Sequence, residues 1–142
     1  ILVWLKDVMV MGRKDYHYKH EPILYGWKEG SAHFWKGGRD KVSTIQCKRP
    51  PRSSEHPTMK PVELITELMG NSLRDDGIVL DLFLGSGSTL IASEKTGRIC
   101  YGMELDPKYV DVIVQRYVDY TGNNKIKLNG EDIIWKKTTK NQ

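Results

Sequence analysis

Cysteine is scarce in this 142-residue chain: Cys47 and Cys100 are the only two, and they show no metal-type spacing. That is too few for a disulfide scaffold. No apolar run approaches the ~20 residues that a membrane-spanning helix needs, and the N-terminal one stops at Leu5. No secretory leader stands at the start, so a reducing cytoplasm is the expected compartment. There is no internal repeat and no low-complexity tract. His17, His20, His33 and His56 are scattered, with no cysteine or acid at ligand spacing, so no metal site is expected. The chain begins at Ile1 rather than methionine, which suggests a piece of something longer. What remains, 39% hydrophobic and 28% charged residues, describes one ordinary domain with a single core.

The net charge of +4 is unevenly spread. Lys36 to Lys60 is basic, with Lys36, Arg39, Lys41, Lys48, Arg49, Arg52 and Lys60 against Asp40 and Glu55. Residues 61–124 carry twice as many acids as bases, and the tail from Lys125 is basic again. A basic stretch beside an acidic half points to a polyanion on one face and a cationic small ligand near the other. A solvated loop with ordinary surface charge is the plainer alternative. Trp27, Phe34 and Trp35 lie beside the basic stretch, where they could stack on bases; core packing is the expected role.

Hydrophobic patterning gives a sequence of elements. Ile1–Leu5 and Glu21–Trp27 are expected as strands, and Val42–Cys47 as a weaker third. Lys48–Pro57 is rich in Pro, Ser and charge and reads as a loop. From Lys60 to Leu73, Val62, Leu64, Ile65, Leu68, Met69 and Leu73 recur at helical spacing, with Pro61 suited to the first turn. Gly77–Leu84 is a near-continuous apolar run with one acid, the pattern of a strand buried on both faces. A helix over Ser88–Thr96, a second buried strand over Ile99–Leu105 and a helix from Asp106-Pro107 to about Tyr120 follow. The last twenty residues are polar, with one short element expected. Strand, glycine turn, helix, strand, helix is a βαβα unit with a parallel sheet, and ligands bind at the carboxyl ends of such strands.

That rule draws the eye to Asp81–Thr89 (DLFLGSGST) and to Glu104. The turn is not a P-loop, since no GK[ST] follows. As a dinucleotide fingerprint it is incomplete, because Leu90 occupies the third glycine position, and Asp81 would face a pyrophosphate unfavourably. An acid at the strand end suits a cationic ligand instead. S-adenosylmethionine, with a sulfonium and an ammonium against one carboxylate, is net positive. Glycines let the backbone approach it, and Glu104 at the next strand end is placed to accept ribose hydroxyls. A plain tight turn is the bland alternative.

These residues resemble the amino-group DNA methyltransferases of the N6-adenine/N4-cytosine type, in the permuted order where the cofactor motifs follow the catalytic ones. His56–Leu64 (HPTMKPVEL) is similar to that family's motif X, Asp81–Thr89 to its motif I, and Gly102–Asp106 to the acidic motif after it. Tyr18–Gly26 is similar to the segment preceding motif X. The resemblance covers roughly residues 1–121. It implies a Rossmann-like methyltransferase fold of the α/β class, a mostly parallel sheet with helices on both faces, incomplete in this chain. The single partial domain would comprise strands over 1–47, a loop over 48–57, a cofactor-binding unit over 58–121 and a polar tail over 122–142.

By the same resemblance His56, Pro57, Thr58 and Lys60 would lie against the methionine part of S-adenosylmethionine. Asp81, Phe83, Gly85, Ser86 and Gly87 would line that side too, and Glu104 would hold the ribose. Leu82 replaces the family's usual proline and, being apolar, should keep the strand; an extra Ser88 stands before Thr89, so Ser88 and Thr89 join the cofactor set without individual roles. Lys36, Arg39, Lys41, Lys48, Arg49 and Arg52 are the candidates for DNA phosphates. The implied partner is double-stranded DNA, with no membrane, and a homodimer is left open.

The family's catalytic loop, [Asp/Asn/Ser]-Pro-Pro-aromatic, is missing. Pro50-Pro51 is flanked by Arg49 and Arg52, and Asp106-Pro107-Lys108-Tyr109 is explained as a helix start. No catalytic residue is therefore assigned in this chain, and the loop is expected upstream, in a missing N-terminal portion. A noncatalytic cofactor- or DNA-binding module is the rival.

Overall fold

The computed structural model describes residues 1–51 and 59–136. Its first unit is a three-stranded sheet in the order β2-β1-β3, formed by β1 (Leu2–Val10), β2 (Tyr18–Ile23) and β3 (Thr44–Gln46). β1 pairs antiparallel with β2, Leu2 opposite Ile23 and Trp4 opposite Glu21, and parallel with β3, Trp4 beside Ile45. Pro22 is tolerated because β2 is an edge strand, where a missing N–H breaks no ladder. The second strand thus starts and ends earlier than its apolar residues suggested. Its register follows the pairing with β1, which leaves Leu24 to Trp27 outside the sheet.

Alternation along β1 turns Trp4 and Lys6 inward and Leu5 and Asp7 outward. Trp4, Ile45 and Leu64 form the core of this unit, with Leu2, Ile23, Cys47 and Leu68 packed around them. The indole N–H of Trp4 donates to the Cys47 carbonyl at 2.8 Å, so the buried ring keeps its polar atom satisfied. Leu64 belongs to α1 (Val62–Ser72), which Pro61 opens from the N-cap position in extended geometry.

The second unit is β4 (Ile78–Asp81), α2 (Ser88–Lys95), β5 (Ile99–Gly102) and α3 (Pro107–Thr121). β4 and β5 are parallel, Ile78 beside Ile99 and Asp81 beside Gly102. The expected βαβα order is present, but the strands are shorter, because the chain leaves the sheet at Asp81 and Gly102. Full burial on both faces is not found. Ile78, Leu80, Ile99 and Tyr101 are each more than half exposed, since α2 packs on the pair and nothing among the described residues covers the other face.

α3 starts as its sequence dictates: Asp106 Oδ1 accepts from the Lys108 N–H at 2.9 Å and Pro107 fills N1. It ends at Gly122 in the left-handed region, φ 70°. The tail then holds two strands rather than one element, β6 (Lys125–Leu128) and β7 (Glu131–Ile134), an antiparallel hairpin. Asn129 and Gly130, both at positive φ, form its two-residue turn, and Asn-Gly between alternating residues was a legible hairpin signal. Trp135 Nε1 donates to Gln115 Oε1 at 3.0 Å and ties the hairpin to α3.

Candidate functional site

The carboxyl ends of β4 and β5 converge on the glycine turn. Asp81 Oδ1 accepts from the Phe83 N–H at 3.0 Å, bending the chain out of the sheet. The Met103 N–H then donates to the Asp81 carbonyl and the Leu84 N–H to the Met103 carbonyl, both at 2.9 Å, which locks the two strand ends together. Gly85 and Gly87 take positive φ, 56° and 77°, and Gly87 caps α2. A Cβ on Gly87 would also sit 3.1 Å from Ile113 of α3, a tight contact, but it is the positive φ that calls for glycine there.

Glu104 is fixed by this turn. Its Oε2 accepts from the Gly85 N–H at 2.7 Å and its Oε1 from the Asp106 N–H at 3.1 Å. A carboxylate offers about four acceptor sites; Asp81 spends one on the Phe83 N–H, and both Glu104 oxygens serve the turn. Phe83 is 89% and Leu105 97% exposed, with Met103 also open, so the two acids stand among apolar side chains that face solvent. Leu105 and Met103 were not singled out from the sequence, where an apolar residue after a strand carries no signal of exposure.

The serines lie elsewhere. Ser86 and Ser88 are buried, their Oγ atoms 3.4 Å apart, and Ser88 Oγ donates to the Lys60 carbonyl at 2.8 Å. Their hydroxyls brace the turn from behind, joining it to the segment before α1. Thr89 is half-buried in the first turn of α2, and its carbonyl accepts from Ser93 Oγ. Arg116 of α3 adds a further brace that the sequence did not reveal: its Nη1 donates to the Ser86 carbonyl. Burial lowers its pKa from the ordinary guanidinium value.

A second group surrounds Lys60. Its Nζ pairs with Glu21 Oε2 at 3.1 Å, and Glu21 Oε1 holds Lys6 Nζ at 2.6 Å. The Lys6 side chain is only 4% exposed, while Glu21 is 36% exposed. Burial pushes the Glu21 carboxyl up, but hydrogen bonds and charge from Lys6 and Lys60 outweigh this and leave its pKa below the usual glutamate value. Trp4, Lys6, Tyr18, His20, Arg49 and Lys60 are among the residues that line a cavity of about 450 Å³ here. Strand alternation placed Lys6 on the face of Trp4, so this inward lysine was a signal available in the sequence. His56, Pro57 and Thr58 lie outside the described residues, as does Arg52.

Among the described residues the basic side chains are held at different places. Lys36 pairs with Asp75 at 3.0 Å and Lys41 with Glu67 at 3.3 Å, both against α1 and the turn after it. Arg49 donates its backbone N–H to Asp7 Oδ1 at 2.8 Å, and Lys48 lies within electrostatic reach of the same carboxylate, at the β1 side. Arg39 is exposed between Gly38 and Asp40. Core packing does not hold for Trp27 and Trp35, which are 56% and 44% exposed; Trp35 only borders a cavity at the edge of the core, beside Leu2, Ile45 and Leu68. Phe34 is half-buried under the Arg74 guanidinium, 5.3 Å from its ring centroid.

Comparison with known proteins shows the family. The family model for DNA methylases of the N6/N4 type matches residues 2–115. The type II methyltransferase M.Cfr9I of Citrobacter freundii is 31% identical over 99 residues, which are 69% of this chain and 33% of that protein. The crystal structure of the M1.HpyAVI–SAM complex superposes with a TM-score of 0.72 at 26% identity, over 82% of this chain and 60% of the other. The cytosine-N4-specific PvuII DNA methyltransferase gives 0.62 at 17% identity, over 84% and 51%, a likeness of fold alone. The chain spans about a third of the length of its curated relative.

Proposed function

The chain belongs to the N6/N4 DNA methylase family, and from that premise we propose that it forms the cofactor-binding portion of a DNA amino-methyltransferase. The methyl donor is S-adenosylmethionine, and the acceptor is an exocyclic amine of a DNA base, N6 of adenine in the first instance. The observation that carries this reading is the pair of carboxylates, Asp81 and Glu104, fixed on either side of a Cβ-free turn and surrounded by open apolar side chains.

The residues fit such a ligand by charge and shape. Asp81 offers a carboxylate to the ammonium, Gly85 and Gly87 admit close approach, Glu104 accepts from the ribose hydroxyls, and Phe83 and Leu105 suit an adenine ring. The bound cofactor supplies an electrophilic methyl group on sulfonium. Ser88, Lys60 and Arg116 hold the turn in place from behind, so its shape exists before any ligand arrives. Lys36, Arg39, Lys41, Lys48, Arg49 and Arg52 serve the DNA backbone. Presentation of the amine falls to a Pro-Pro-aromatic loop in another segment of the enzyme, because this sequence contains none.

Calorimetry with S-adenosylmethionine tests the site. A charge-assisted hydrogen bond is worth about 1.5–3 kcal/mol, so Asp81→Ala or Glu104→Ala weakens binding about tenfold or more. Unchanged affinity in both variants refutes the assignment. Nucleoside mass spectrometry on DNA treated with the full-length enzyme identifies the base: N6-methyladenine supports the target named here, and N4-methylcytosine overturns it.

A further inference from the structure

The loop between β2 and β3 carries a group of rings that the cofactor site does not use. Trp27 and His33 stack, centroids 4.1 Å apart and planes 15° from parallel. Tyr25 meets Trp27 edge-on at 5.9 Å and Trp35 at 6.4 Å. Tyr25, Trp27, His33 and Trp35 all lie at the surface, and Trp27 keeps over half its area exposed although His33 covers one face. Contiguous exposed aromatic surface of this kind marks an interaction site rather than a core.

The loop is held from its other side. The Lys36 N–H donates to the Asn71 carbonyl at 2.8 Å, Lys36 and Lys41 pair with Asp75 and Glu67, and Trp35 Nε1 donates to the Gly38 carbonyl at 2.8 Å. These anchors fix the loop against α1, where Tyr25 and Trp35 border a small cavity with Leu68 and Asn71, while Trp27 and His33 stay at the surface. Lys28 and Arg39 are exposed on the same loop, which carries four basic residues against Glu29 and Asp40. The pairs made by Lys36 and Lys41 are exposed ones of small worth, so a phosphate can compete for either lysine.

We propose that Trp27, backed by His33 and flanked by Tyr25 and Trp35, is a stacking surface for an unpaired base of a DNA strand whose phosphates lie along Lys28 and Arg39. The inference rests on the DNA reading above and adds to it a contact to a base face, separate from the cofactor turn. Aromatic rings provide such a surface for any base, since every base has a π-face, while the flanking cations follow the backbone.

The two kinds of contact separate in a salt titration of the 142-residue chain with a fluorescently labelled oligonucleotide bearing unpaired bases, followed by anisotropy. Phosphate contacts set the slope of log K against log salt, and stacking does not. Trp27→Ala weakens binding about five- to a hundredfold at constant slope, the range that base stacking on aromatics spans. Trp27→Phe keeps most of the affinity, and Arg39→Glu flattens the slope. Circular dichroism checks that each variant is folded. Wild-type binding that Trp27→Ala leaves unchanged overturns the stacking surface while the DNA reading stands. A wild-type chain that binds no DNA, yet forms a dimer that Trp27→Ala dissolves in sedimentation, overturns the proposal and assigns the patch to a second copy.

Discussion

Replacing Glu21 with Gln isolates the one strongly buried charge in the first sheet. Lys6 is held at 2.6 Å by Glu21 in a side-chain environment that is 4% exposed, with its ammonium 5.1 Å from the Trp4 ring centroid. Removing one partner of a buried pair costs about 3–5 kcal/mol, because the other charge is left uncompensated. Glu21 is itself 36% exposed, so water recovers part of that loss, and about 2–3 kcal/mol is the expected effect. The Lys60 arm, with 49% of its side chain exposed, adds little. Urea titration at neutral pH reads this as a lower midpoint at unchanged slope. Lys6→Met with Glu21→Gln restores most of the stability, since it removes the buried charge and keeps the apolar stem. The Glu21 pKa is depressed in the folded state, so the pair's contribution is complete above the ordinary glutamate value. It is lost as pH falls through the depressed one, and the gap between wild type and Glu21→Gln closes on acidification. A single variant as stable as wild type, or a double variant no better than the single, refutes the reasoning.

Two further outcomes follow from the proposed function. DNA affinity falls with salt at a log–log slope of about −0.9 per neutralised phosphate, and reversing Arg39, Lys48, Arg49 and Arg52 to Glu flattens it; an unchanged slope makes the stretch an ordinary solvated loop. Tritiated methyl transfer to DNA is absent for the 142-residue chain and appears when the catalytic segment is supplied by co-expression, since amine and methyl must be held in line. The restored activity disappears in Asp81→Ala and survives in Tyr109→Ala, because Asp106 to Tyr109 is a helix start. Robust transfer by the short chain alone refutes the division of labour.

The helices and the turn were legible because their signals are local. Asp106-Pro107 specifies a helix start by its own capping chemistry, and Gly85 and Gly87 permit the positive φ that a tight turn between strand and helix needs. β2 was misplaced because its ends are fixed by pairing with β1, Tyr18 opposite Val10 and Ile23 opposite Leu2, and not by its own apolar content. The aromatic residues failed for a related reason. Composition says that Trp27 and Trp35 want burial, but the loop's anchors to α1 decide where they sit. Asp81 and Glu104 were picked out as acids at the ends of expected strands, a local signal, whereas Ser88, Lys60 and Arg116 were not recognised as braces, because their partners lie 28 and 30 residues away along the chain.

The two sides of the β4–β5 pair differ in a way that bears on cofactor affinity. One side is closed: α2 packs on the strands, Ile113 fills the space beside Gly87, and Arg116 reaches the Ser86 carbonyl. The other exposes Ile78, Leu80, Ile99 and Tyr101; the three aliphatic side chains, already partly covered, would each gain about 1–2 kcal/mol on full burial. Those side chains stand on the same strands that carry Asp81 and lead to Glu104, so whatever stabilises that face also holds the two carboxylates in register. The turn, by contrast, draws its shape from α2, α3 and Lys60, which are present. Covering the open face therefore raises cofactor affinity by steadying strand ends that already have the right form. It leaves the ranking of Asp81→Ala and Glu104→Ala against wild type unchanged, because that ranking depends on each carboxylate's own contact with the ligand, in front of a turn that is braced from behind.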